Sequence, residues 1–150
     1  MKSCAVLGNG PGLTRENIPA GAFLVGVNRS YKVARSPIIC TVDGQAAREA
    51  YAESGAALFC VKRGALPFGM RGVASYDPPE WAWNSGAFGI WIAAQMGFER
   101  IYLVGFGGRG KFDSDDDINR DYYQRNIAAA IQFAAERQVE VARSWEEVMA

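Results

Sequence analysis

The runs at 4–7, 22–27, 37–42, 57–61 and 101–104 are apolar from end to end rather than at every second residue. No other feature of the chain constrains its fold as much. A strand with one wet face alternates apolar and polar residues. A strand covered on both faces by helices does not, and such strands belong to parallel sheets. Helical patterns at 45–54, 85–96 and 118–138 separate the runs. Alternating strands and helices predict an α/β fold: one three-layer α/β/α Rossmann-like domain over residues 1–150. Its sheet is expected to be mostly parallel with five or six strands, the sixth being a short run at 139–141. The first strand should lie inside the sheet with a neighbour on each side, and ligands of such sheets sit beyond the strands' carboxyl ends.

The helices differ in character. Residues 85–96 are apolar nearly all round (Phe88, Ile90, Trp91, Ile92, Ala93, Ala94), which predicts burial, with Gly97 as a left-handed stop. In 118–138, Tyr123, Ile127, Ala130, Ile131 and Ala134 fall on one stripe. Ser144-Trp145-Glu146-Glu147 has the form of a capping box. The Gly- and Pro-rich segment 62–83 reads as a long loop, and loops of that length are usually functional or mobile.

Composition narrows the function. Lys+Arg and Asp+Glu are both 16, so the basic excess of a general nucleic-acid binder is missing. The chain has no histidine, which removes the commonest general base and transition-metal ligand. Cys4, Cys40 and Cys60 each lie in a predicted strand, as buried thiols in a reducing compartment would. No signal-peptide pattern follows Met1 and no apolar stretch approaches a membrane span, so a cytoplasmic protein without membrane contact is expected.

Candidate binding residues cluster at predicted strand ends. Gly8-Asn9-Gly10-Pro11-Gly12 follows the first strand, where exposed N–H groups would cradle a phosphate or simply make a tight turn. Pro11 and the spacing set it apart from the dinucleotide and P-loop fingerprints. Asn28-Arg29 ends the second strand and offers an amide and a phosphate-binding guanidinium. Asp43 ends the third, as a ribose acceptor or a helix cap. Asn84-Ser85-Gly86 opens the buried helix, and Gly105 closes the fifth strand. Further candidates are Trp81 or Trp83 stacking on a base, Arg63 and Arg71 as phosphate clamps, and Tyr122 or Tyr123 above the site. Asp113, Asp115, Asp116 and Asp117 form either a Mg²⁺ ligand set or an acidic helix start; the dipole reading is favoured, so no metal site is assigned.

Gly8-Asn9-Gly10-Pro11, Val27-Asn28-Arg29, Asn84-Ser85-Gly86 and Ile101-Tyr102-Leu103-Val104-Gly105-Phe106 occur in an order that resembles the nucleotide-binding core of small Rossmann-type bacterial sialyltransferases. The chain is still more similar to short phage and prophage proteins sharing that core, and more distantly to archaeal pterin pyrophosphokinase-like proteins. The resemblance implies that Asn9, Gly10, Asn28, Ser85 and Gly86 hold a cytidine nucleotide. The family's histidine base has no counterpart here, and Gly12 stands where a serine is usual. The expected partner is a small-molecule nucleotide or nucleotide-sugar, bound by a degenerate glycosyltransferase-like domain. A non-catalytic accessory protein and a Mg²⁺-dependent phosphoryl or pyrophosphoryl transferase are the alternatives. Self-association into a homo-oligomer is left open.

Overall fold

The computed structural model describes residues 2–107 and 117–143, with side chains of the last segment from 121 onward. The aspartates at 113–116 and the 144–147 capping box lie outside the described residues. The elements in chain order are β1 (Ser3–Leu7), β2 (Phe23–Val27), β3 (Ile38–Thr41), α1 (Gly44–Glu53), β4 (Leu58–Lys62), β5 (Val73–Tyr76), α2 (Ser85–Ala93), β6 (Arg100–Val104), α3 (Asp117–Glu136) and β7 (Glu140–Arg143). Short 3₁₀ turns at Arg15–Asn17, Ser30–Lys32 and Glu80–Ala82 fill connections.

The strands form one parallel sheet in the order β5-β4-β3-β2-β1-β6-β7. The fold is Rossmann-like α/β, with seven strands rather than the five or six expected. The addition is β5, inside the segment read as a loop: Val73 to Tyr76 pair with β4 at the sheet edge. As expected, β1 is interior, flanked by β2 and β6. The chain winds outward from β1 to β5, then returns to β6 on the other side, so the order reverses beside β1.

Parallel pairing places successive side chains on opposite faces. Cys4 and Val6 join one core with α2 and α3, whereas Ala5 and Leu7 face the other side. Helix α2 is sandwiched between the sheet and α3, which explains why apolar residues surround it: Ala87, Phe88, Ile90, Ile92 and Ala93 are all buried. Gly89 permits the close approach, because a Cβ there would meet Val27 Cγ2 at 2.7 Å. The α3 stripe buries Ile127, Ala130 and Ala134, with Tyr123 and Ile131 half-buried. Gln138 ends that helix at φ 62°, and the Val139 N–H returns to the Ala134 carbonyl.

Candidate ligand-binding site

A cavity of about 520 Å³ opens at the carboxyl ends of β1 and β2, against the N-terminus of α2. Gly8, Asn9, Gly10 and Leu13 contribute from the β1 loop, and Val27, Asn28, Arg29, Lys32 and Val33 from the end of β2. Asn84, Ser85 and Gly86 close it from α2, and Tyr123 from α3. Sites predicted on separate strand ends thus meet at one hollow.

Backbone geometry dictates what each group offers. Asn28 has φ 52°, a left-handed conformation that Asn tolerates better than most residues. Its N–H donates to the Cys40 carbonyl at 3.2 Å. Its side-chain Oδ1 accepts from Thr41 Oγ1 at 2.6 Å, leaving the amide N–H groups for the cavity. Asn9 Nδ2 donates to the Val27 carbonyl at 2.9 Å, so its Oδ1 is the side's acceptor. Asn84 caps α2, its Oδ1 accepting from the Ala87 N–H at 2.8 Å. Its Nδ2 is buried without a hydrogen-bond partner. An unpaired buried donor costs about 1–3 kcal/mol unless a ligand meets it. Ser85 is buried, and its Oγ accepts from the Val42 N–H at 3.0 Å. The first N–H groups of α2 carry the positive end of the helix dipole into the same wall.

Two cations stand at the rim. Arg29 pairs with Glu49 on α1, a hydrogen bond that raises the guanidinium's pKa and holds the carboxyl below its usual range. Lys32 follows three residues later in the Ser30–Lys32 turn, where a 3₁₀ repeat puts positions i and i+3 on one side. The described lining contains no carboxylate and no thiol. Among the described residues, no group of three or more His, Cys, Asp or Glu could share a metal ion.

Several predicted positions have other tasks. The N–H groups of Gly8 and Gly10 donate to the Val104 and Gly105 carbonyls, each at 2.8 Å, so neither cradles a phosphate. Both must be glycine because a Cβ at either would meet the Gly105 carbonyl oxygen at 2.6 Å. Gly105 itself, at φ 79°, lies behind the wall rather than in it. Pro11 and Gly12 also fall outside the lining. Asp43 caps α1, accepting from the Gln45 and Ala46 N–H groups, and does not line the cavity. Trp81 packs near Phe133, while Trp83 donates to the Pro78 carbonyl under Lys62. Arg63 pairs with Asp77, and neither it nor Arg71 reaches the hollow. Of the two tyrosines, Tyr123 lines it and Tyr122 is exposed. Tyr123 also explains Gly86, where a Cβ would meet its hydroxyl at 2.8 Å. Lys32, Leu13 and Val33 are not candidates in the sequence reading, and Val27 enters it only within the Val27-Asn28-Arg29 motif; for Lys32 the three-residue spacing from Arg29 is the available signal.

Fold and site together define a Rossmann-like α/β protein with a donor-rich, cationic hollow at its strand ends. No protein-family model matches the chain, and no curated protein or solved structure matches it.

Proposed function

We propose that this chain binds a nucleotide or nucleotide-sugar in the β1–β2–α2 hollow, with phosphate oxygens at Asn84, Ser85 and Gly86 and under Arg29 and Lys32. The observation that carries the reading is the meeting of the α2 N-terminus, the Asn28 amide and two cations at one hollow, with no carboxylate among its described residues. Donors with cations suit an anion, since charge-assisted hydrogen bonds are roughly twice as strong as neutral ones. The volume of about 520 Å³ lies in the range of small-molecule sites. The resemblance to sialyltransferases favours a cytidine nucleotide. The proposal covers binding and orientation, which donors, cations and the Tyr123 phenol supply.

A thermal-shift panel of nucleoside monophosphates, CMP-sugars and free nucleosides, each with and without Mg²⁺, tests it. A cytidine nucleotide at a hundredfold excess over Kd should stabilise the fold by about 2.7 kcal/mol, without needing Mg²⁺. Stabilisation only with Mg²⁺ would favour phosphoryl transfer instead. No shift with any nucleotide would leave the accessory-protein alternative.

A further inference from the structure

Two hydrogen bonds behind the hollow determine which way its polar side chains face. Thr41 is fully buried at the end of β3 and does not line the cavity. Its Oγ1 accepts the Asp43 N–H at 3.1 Å and must therefore donate elsewhere. The nearest acceptor is Asn28 Oδ1 at 2.6 Å, well inside the 3.3 Å to the Asp43 carbonyl. The next residue, Val42, gives its N–H to Ser85 Oγ at 3.0 Å. Adjacent residues of one segment thus occupy the acceptor atoms of two side chains that line the cavity. The Asn28 amide N–H groups are thereby left for the cavity, while Asn28 Oδ1 and Ser85 Oγ are each turned toward a donor behind the wall.

We infer that Thr41 is a positioning residue that turns the Asn28 amide N–H groups toward the cavity, so that this point of the wall selects an acceptor-rich ligand group, an ionised phosphate. This rests on the proposed nucleotide reading and adds the basis of selection. Without the Thr41 hydroxyl, the Asn28 amide is free to turn over and present its oxygen to the phosphate, which repels it. Selection of this kind comes from buried polar groups left unpaired by the wrong ligand.

The test compares wild type, Thr41→Val and Thr41→Ser by calorimetric titration with CMP, cytidine and inorganic pyrophosphate. Side-chain amide resonances of Asn28 are recorded in the ligand-free proteins. Wild type should prefer CMP over cytidine at least tenfold. Thr41→Val should reduce that preference at least fivefold and shift the Asn28 amide resonances, while Thr41→Ser, which keeps the hydroxyl, should restore both. A Thr41→Val protein with unchanged preference and unchanged Asn28 resonances overturns the inference and leaves the nucleotide reading intact. So does equal loss of CMP and cytidine binding, or failure of Thr41→Ser to rescue. Pyrophosphate binding by wild type, sensitive to Thr41→Val, without any nucleotide binding would support the inference and overturn the nucleotide reading. Failure of wild type to bind either anion overturns both. If Thr41→Val does not fold, Thr41→Ser decides: the inference requires wild-type preference from it and falls without it.

Discussion

A methyl group added at Gly10 would sit 2.6 Å from the Gly105 carbonyl oxygen and 2.9 Å from that of Gly107. Both obstacles are backbone, which cannot swing aside as a long side chain can. Gly10→Ala should therefore destabilise the fold by about 1–3 kcal/mol, as overpacking does. Urea denaturation would show a lower midpoint at unchanged slope. A variant as stable as wild type would mean that the β1 and β6 loops are not pressed together as described. Lys32 makes the opposite case, exposed at the rim near Glu49 and outside the core clusters. Lys32→Ala should weaken CMP binding about tenfold, near 1.4 kcal/mol, and flatten its salt dependence. Titration at low and high salt measures both, and identical affinities at low salt would remove Lys32 from the site.

Helix α1 shows how an element's own needs compete with function for the same residue. Asp43 stands at its N-terminus, accepting from the Gln45 N–H at 2.8 Å and the Ala46 N–H at 3.3 Å. Asp43→Ala should lower stability by about 1 kcal/mol, the usual effect of losing such a cap. CMP affinity should stay within about twofold, and a larger loss would return Asp43 to the ligand. The chain's residues leave such a choice open, because a carboxylate at a strand end serves either task. Other elements were easier to read. The strands β1 to β4 and β6 show as apolar runs because both their faces are covered, and α2 shows because it is enclosed. Strand β5 was hidden, since Val73-Ala74-Ser75-Tyr76 pairs on one side only and all four residues are half-buried. Nothing there demands an apolar run. The site was legible to the same degree. Strand ends and the α2 cap pointed to Asn9, Asn28 and Asn84 to Gly86. Lys32 and Val33 stayed obscure because a three-residue turn leaves little periodic trace, and the role of Thr41 depends on contacts between β2, β3 and α2.

Across the whole molecule, the sheet's interior holds three buried thiols, and its alkaline pH dependence rests on Cys4 and Cys40. Cys4, Cys40 and Cys60 are all buried and free, and Cys40 lies directly opposite Cys60 in the β3–β4 register. Burial pushes the Cys4 thiol up to about 12 from 9.0. Cys40, hydrogen-bonded to Cys60 and enclosed on every side, is also raised, whereas the same hydrogen bond lowers Cys60. A folded-state pKa above the unfolded value gives stability that is complete below about pH 9. It is lost as pH climbs toward the folded value, because the unfolded chain releases protons that the folded one keeps. For Cys4 the slope is about 1.4 kcal/mol per pH unit across that window. Urea titrations at pH 7, 9 and 10 should therefore show wild type losing stability over the upper interval. Tyrosines and lysines also titrate at alkaline pH, so Cys4→Ala is the necessary comparison. It should be less stable than wild type at pH 7, through the cavity it leaves, yet lose less on going to pH 10. At pH 8 a thiol reagent should label none of the three cysteines in the folded wild type and all three in urea. Parallel pH curves for wild type and Cys4→Ala would show that the Cys4 thiol is not shielded from solvent in the folded sheet. The β1 strand that positions the Asn9 loop would then be less firmly enclosed than its packing against α2 indicates.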